Sequence, residues 1–412
     1  MPVNLSVPPE ITPVAGVELG TVAAGLKKNG DKDLVLAKLA AGAEVAAVFT
    51  RNAYCAAPVT VAREHLQACS GKVSALLINS GGANAATGAE GLANARHHCQ
   101  LVSEKLGVQA QQVLPFSTGV IGEQLPSDLM SAGIESVLSE LGSSPAHWRG
   151  AAEGIMTTDT TFKQISRTIS LSGKSVTVAG FAKGSGMIQP DMATMLSYVF
   201  TDAAVSATDL QALLNDVVER SFNSVTVDGD TSTNDACVLA ATAASDVSLN
   251  PSDKDWSVLS DAVFEVCLWL SQALIRDGEG ATKFITIDVS GGKTAADCKQ
   301  IALTVGNSPL VKTAFFASDA NLGRIIMAVG RSGIDYLDIN RFSLTLGDGK
   351  QTVDVLKDGQ PAADYSDEIG QAIMQSAELS IGIALGAGDA QWTCWASDLS
   401  HDYVSINADY RS

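Results

Sequence analysis

Residues 45–50 and 73–78 are predominantly apolar runs, the pattern of buried strands. Residues 93–106 and 127–141 instead repeat apolar side chains three and four positions apart, which predicts helices with one buried face. The same alternation continues: 207–222, 256–276 and 322–330 predict helices, 284–289 a strand, and 194–202 a further strand. Two alternating runs within 165–183 flank Ser172-Gly173-Lys174, as in a hairpin whose turn needs a glycine. That hairpin leads straight into a glycine-rich segment. Helices and strands mixed along the whole length, without repeats or low-complexity tracts, predict an α/β (α+β) protein. Its 412 residues, 46% of them hydrophobic, are enough for two lobes. No shift in composition marks a boundary.

Charge narrows the function classes. Only 27 Lys and Arg stand against 45 Asp and Glu, a net charge of -18 that argues against a surface tracking nucleic-acid phosphates. Residues 1–10 lack a positive stretch followed by an apolar one, and no run of about 18 apolar residues is visible, so a cytoplasmic protein without a membrane segment is expected. The seven cysteines are scattered singly, which predicts reduced thiols and no metal site. His97-His98-Cys99 point in different directions on a helix and read as a partly exposed face.

Other signatures fail on inspection. Gly173-Lys174-Ser175 and Gly292-Lys293-Thr294 resemble the end of a phosphate loop, but Thr168 and Ile287 occupy the positions of the required earlier glycine. Asp228-Gly229-Asp230-Thr231-Ser232 starts like a calcium loop, yet Thr233 and Leu239 stand where glycine and glutamate are needed. With five histidines and no Gly-x-Ser-x-Gly, a histidine-based triad has little support.

The chemistry concentrates in Lys183-Gly184-Ser185-Gly186-Met187-Ile188-Gln189-Pro190-Asp191-Met192-Ala193-Thr194-Met195-Leu196. Its glycines permit close backbone approach, Pro190 fixes a dihedral, and small Ala193 leaves the carbonyl before Thr194 open to the Thr194 hydroxyl. Attack there shifts the acyl group from nitrogen to oxygen. Hydrolysis of that ester then frees the Thr194 amine. An N-terminal amine titrates near ~7.7–8.0, so it can serve as the base that the missing histidine would have supplied. By spacing alone, a threonine after a glycine-rich turn equally well starts a strand.

This segment resembles the self-cleavage site of the ornithine acetyltransferase family, the bifunctional glutamate N-acetyltransferases of arginine biosynthesis. The resemblance extends through Thr50-Arg51-Asn52, Asn79-Ser80-Gly81-Gly82-Ala83-Asn84-Ala85-Ala86-Thr87-Gly88, Ser117-Thr118-Gly119-Val120-Ile121-Gly122 and Met156-Thr157-Thr158-Asp159-Thr160. It continues in Arg276-Asp277-Gly278-Glu279-Gly280-Ala281-Thr282-Lys283, Asp402-Tyr403-Val404 and Asn407-Ala408-Asp409-Tyr410-Arg411-Ser412.

The family resemblance implies a layered αββα-type sandwich, shared with DmpA-like self-cleaving enzymes. Cleavage between Ala193 and Thr194 would give two intertwined chains, 1–193 and 194–412, that assemble further, as two of each in a heterotetramer. It implies that Thr194 is the nucleophile of both cleavage and transfer, and that Thr118 and Gly119 form the oxyanion hole. Thr157, Lys183, Thr194, Glu279, Asn407 and Ser412 would bind substrate: Lys183 suits a carboxylate, Glu279 the ammonium of ornithine. The implied reaction is ping-pong, from N-acetylornithine to Thr194, with release of ornithine, and then to glutamate. No cofactor is implied; acetyl-CoA is open as a second donor.

The chain departs from the family at Gly82, Ala86 and Asp191, where asparagine, cysteine and asparagine are common. It also departs at Ala396, Ser397 and the terminal Ser412. The rival enzyme on the same nucleophile is an amidase or aminopeptidase that releases the acyl group to water; the non-enzymatic rival is a binding protein whose loops shape a pocket.

Overall fold

The computed structural model describes residues 1–6, 10–189 and 195–408. Ala193, Thr194 and Ser412 therefore lie outside the described residues, as do the other residues of 190–194 and 409–412.

Two sheets pack face to face. The first runs Val17–Val22, Leu34–Leu39, Ala75–Asn79, Val113–Ser117, with only its last pair parallel. The second runs Glu44–Phe49, Ala236–Ala241, Leu196–Thr201, Lys174–Lys183, Lys163–Leu171.

Alternation along each strand assigns the faces, because successive side chains point to opposite sides. Val35 and Ala37 meet Val238 and Ala240 in one core between the sheets. Leu34 and Leu36 face the other way, against Cys99 and Val102 of helix Gly88–Leu106 and Ile134 of helix Ser127–Ser139. Cys237 and Leu239 turn outward onto Leu214 of helix Ala207–Arg220 and Leu270 of helix Trp256–Arg276. Helix, sheet, sheet, helix is the expected layering, in a mixed α/β fold. The second sheet takes strands from both sides of position 193.

A third sheet builds the other lobe, in the order Gln360–Pro361, Thr352–Lys357, Ser343–Gly347, Glu378–Ala384, Phe284–Gly292, Ala390–Ser397, Val225–Thr226. Helices Ala295–Gly306, Gly323–Gly330 and Asp367–Met374 share its core. The lobes are joined by a small apolar cluster that includes Ile188, Val227, Ile275 and Phe284, and by a two-pronged contact of Arg276 with Glu378, both prongs 2.9 Å.

Two segments bear directly on the sequence readings. Helix Trp256–Arg276 is long and apolar enough to cross a membrane by length and composition, with mean hydropathy 1.6 over its best window. Its Leu259, Val263, Val266 and Leu270 instead pack on the second sheet, which makes it a core helix. Gly292-Lys293-Thr294 does join a strand to a helix, as a phosphate loop would. However, Thr294 caps that helix through the Asp297 N–H (3.1 Å), and the Lys293 ammonium lies 4.2 Å from the centre of the Tyr336 ring. Gly173 is simply the hairpin turn, with Ser172 and Gly173 both at positive φ.

Trp148 of helix Pro145–Gly154 is fully buried in the inter-sheet core, edge-on to Phe181 and Phe200 at 6.1 and 5.4 Å between ring centres. Its indole N–H has no hydrogen-bond partner among the described residues. Trp148→Ala should therefore cost about 3–5 kcal/mol in urea unfolding, whereas Trp148→Phe should cost far less because no hydrogen bond is lost.

Candidate active site

The site forms where the two sheets of the sandwich end together. After strand Val113–Ser117, Thr118 to Val120 lace against 81–83: the Thr118 N–H donates to Asn79 O (3.0 Å), that of Val120 to Gly81 O (3.3 Å), and that of Ala83 to Val120 O (2.9 Å). Gly119 sits at φ +129°, and a Cβ there would lie 2.4 Å from the Gly81 carbonyl carbon, so only glycine fits. Its N–H donates to no backbone carbonyl among the described residues. Asn79 and Asn234 brace the junction: Asn79 Nδ2 donates to Gly82 O (2.9 Å), Asn234 Nδ2 to Ala83 O (2.6 Å) and Ser117 O (2.9 Å). At Gly82 a Cβ would press on Leu125 at 2.6 Å, so the asparagine common there would require Leu125 to move.

Lys183, the last residue of strand Lys174–Lys183, reaches across from the second sheet and donates from Nζ to Thr118 Oγ1 at 3.2 Å. An ammonium can only donate. The Thr118 oxygen is therefore the acceptor in this contact, which leaves the hydroxyl's own proton free to donate elsewhere. Two donors, the Gly119 N–H and the Thr118 O–H, thus stand side by side beside Lys183, whose backbone pairs with Leu196. Burial pushes the Lys183 pKa down. Asp159 opposes that shift, Lys163 adds to it, and Asp235 and Glu279 oppose it.

Beneath this pair lies a fully buried ion cluster. Lys163 Nζ donates to Asp159 Oδ1 at 2.7 Å and to Asp277 Oδ2 at 2.6 Å, and all three side chains are shielded from solvent. Asp159 also accepts the N–H of Gly184 (2.8 Å) and of Thr157 (3.0 Å). Asp277 accepts the N–H and hydroxyl of Thr160, the N–H at 3.0 Å. Burial opposes the charged form of Asp159, but Lys163, Lys183 and the Gly184 N–H outweigh it and hold its pKa below the usual carboxylate range. For Lys163 burial is likewise outweighed by the two carboxylates, and its pKa is raised.

Glu279, two residues beyond Asp277, is aimed by its surroundings. Its N–H donates to Ser185 O (2.8 Å), Thr158 Oγ1 donates to one carboxylate oxygen (2.7 Å), and Asn407 Nδ2 to the other (2.7 Å). The Asn407 contact comes from helix His401–Ala408, so the C-terminal helix closes one wall. Thr157 and Thr158 meet Gly119 in a cavity of about 370 Å³.

The segment leading to 190–194 is pinned at its other end. Asp228, the first residue of the calcium-like run, accepts the N–H groups of Met187 (2.7 Å) and Ile188 (2.9 Å) and the Tyr403 hydroxyl (3.1 Å). It is a backbone clamp. Asp235 is buried where strand Ala236–Ala241 begins, and the Ala236 N–H bonds to Met195 O at 3.0 Å. Burial pushes the Asp235 carboxyl well up, with Ser232, Lys183 and the Met195 N–H pulling back, and its Oδ2 has no hydrogen-bond partner among the described residues.

A model of the ArgJ family matches residues 18–412. The arginine biosynthesis bifunctional proteins ArgJ of Pseudomonas syringae pv. tomato and Pseudomonas fluorescens are each 48% identical over 414 residues, covering the whole of both chains. This chain belongs to the ArgJ family. Among solved structures, the ArgJ bifunctional protein of Bacillus halodurans is 37% identical, with a TM-score of 0.49 over 52% of this chain and 99% of that one.

Of the residues that the sequence singled out, the ArgJ-family structure brings Thr118, Gly119, Thr157, Lys183, Glu279 and Asn407 to one end of the sandwich. Sequence reasoning assigned no role to Asp159, Lys163, Asp235 or Asp277. Asp159 and Asp277 fall inside motifs quoted for the resemblance, but nothing in the sequence pairs Asp277 with a lysine 114 positions away.

Lys163→Met keeps most of the stem volume but leaves two buried carboxylates without their cation, so urea unfolding should register a loss of about 3–5 kcal/mol. The Asp159 pKa is lower folded than unfolded, where it is about 3.9. Its contribution is therefore present above that value and lost as the pH falls below it. Stability curves between pH ~6 and ~2 should drop more steeply for the parent protein than for Asp159→Asn; parallel curves would contradict this placement.

Proposed function

We propose that this ArgJ-family chain is a self-cleaving acetyltransferase of arginine biosynthesis that carries an acetyl group from N-acetylornithine to glutamate. The observation that carries the reading is the Lys183–Thr118 contact beside Gly119, because it leaves two neighbouring hydrogen-bond donors available next to the strand that follows Thr194. Such a pair suits a carbonyl oxygen gaining negative charge. The biosynthetic relatives at 48% identity favour transfer over the amidase alternative.

In this reading the Thr194 hydroxyl attacks the Ala193 carbonyl carbon, the C–N bond breaks to leave an ester, and water releases a chain beginning at Thr194. The freed α-amine then takes the hydroxyl proton as Thr194 attacks N-acetylornithine. A C–O bond forms to the acetyl carbon, the amide C–N bond breaks, and the proton goes to the departing amine of ornithine. Glutamate reverses the sequence: its amine forms the new C–N bond, the ester C–O bond breaks, and the proton returns to the Thr194 oxygen. Thr118 and Gly119 hold the oxyanion in each step, and Glu279, oriented by Thr158 and Asn407, holds an ammonium. Thr157, Lys183 and Ser412 complete the substrate site. The two chains stay associated, two of each in the assembly, in the cytoplasm.

Mixing protein, N-acetylornithine and glutamate tests this, with acetyl-CoA replacing N-acetylornithine in a parallel assay to show whether it is a second donor. Appearance of N-acetylglutamate with equimolar ornithine supports the reading, and release of free acetate whether or not glutamate is present overturns it. Thr194→Ala should run as one uncut chain with no transfer. Thr118→Val should lower kcat by about 10²–10³-fold, with KM for N-acetylornithine changed only a few-fold, since its hydroxyl is needed most where charge develops.

A further inference from the structure

One side of the cleft carries cations that the chemistry above does not use. After strand Val17–Val22 the chain folds over the buried carboxylate of Asp33, which accepts the N–H groups of Ala24 (2.6 Å), Leu26 (2.6 Å) and Lys27 (2.9 Å). This fixes the backbone of the turn. It also presses the turn onto the oxyanion loop: a Cβ on Gly81 would lie 2.9 Å from Leu26 O, and Gly81 itself lies against Gly119. Lys27 and Lys28 consequently line the same cavity of about 370 Å³ as Gly119 and Thr157.

Neither lysine is neutralised by an ion pair among the described residues. Lys27 Nζ gives one hydrogen to Lys32 O (2.9 Å), which leaves two. In a chain of net charge -18, two adjacent lysines with no ion pair among the described residues, against the single carboxylate of Glu123 in the lining of the same cavity, suit an anionic ligand. Burial lowers the Lys27 pKa despite nearby Asp31, Asp33 and Asp159, so an arriving carboxylate would relieve a charge the protein leaves under-solvated.

We propose that Lys27 and Lys28 form the acceptor pole of the cleft and bind the side-chain carboxylate of a dicarboxylic amino acid. Glu279 lies on a different element of the same site and suits the opposite charge, that of a donor ending in an ammonium. One cleft then serves two substrates of unlike side chain in turn, with discrimination coming from charge that repels the wrong one as much as from charge that attracts the right one. The inference rests on the acetyl-transfer reading.

The test compares glutamate with its neutral isostere glutamine as acceptor, using N-acetylornithine as donor, in the parent protein and in Lys27→Gln, Lys28→Gln and Lys28→Arg. Hydroxylamine, a small uncharged acceptor, monitors the donor half of the reaction. The preference for glutamate over glutamine in kcat/KM should fall about tenfold or more in each glutamine variant, the scale of a lost charged hydrogen bond. It should be largely kept in Lys28→Arg, while KM for N-acetylornithine with hydroxylamine as acceptor stays within about twofold. An unchanged preference in both glutamine variants, or an equal loss toward glutamate, glutamine and hydroxylamine, overturns the lysine assignment alone. A parent protein that forms no acetylhydroxamate from N-acetylornithine overturns the acetyl-transfer reading and this one with it.

Discussion

The site depends on one buried cation. Lys163 lies between Asp159 and Asp277, at 2.7 and 2.6 Å, with no solvent to compete. Isolated, any of these three charges would be expensive to bury; together, with the Thr157, Thr160 and Gly184 N–H groups turned onto the carboxylates, each is compensated. Each carboxylate also tethers backbone. Asp159 ties the 157–159 turn to the residue after Lys183, and Asp277 sets the start of the loop that presents Glu279. The cluster is therefore the point at which the sandwich, the segment before residue 190 and the loop carrying Glu279 are held in register.

The consequences for chemistry are directional. Lys183 is held by a strand on one sheet and Thr118 by a loop on the other, so their contact spans the sandwich. Because an ammonium has no lone pair to offer, the contact leaves the hydroxyl proton free for another acceptor, and the Gly119 amide is the next residue along the loop. An acyl-transfer centre with its own amine as base needs no histidine. His65 bonds to Val113 O (2.8 Å), and His98 is buried, with its pKa pushed to about 4 by that burial. Asp228 and Asp235 add anchors on either side of residues 190–194, one gripping Met187 and Ile188, the other beside Met195.

Much of the fold was legible in the sequence where a local rule applied. The hairpin around Gly173 followed from its turn chemistry, and helix Trp256–Arg276 from its apolar period. Strands such as Val17–Val22 and Val113–Ser117 are short and bounded by irregular loops, and the strands beyond residue 340 are partly exposed, so their periodicity is weak; tertiary pairing defines them. At the site, Thr118, Gly119, Lys183 and Glu279 were found through motif resemblance, since each alone reads as a turn or a surface charge. The Asp159–Lys163–Asp277 cluster and the Lys27–Lys28 turn were not found. Their meaning comes from contacts between residues far apart in the chain, and no spacing rule carries that information.

The claim at the centre is that the chain's own Thr194, freed as an N-terminus, holds the acetyl group between substrates. Intact-mass measurement of the protein quenched shortly after mixing with N-acetylornithine tests it directly. The account predicts two fragments, with one acetyl group added to the fragment beginning at Thr194, located by peptide mapping to that residue and removed on adding glutamate. An acetyl group mapped elsewhere, or full transfer activity in a chain still joined at Ala193–Thr194, would contradict it.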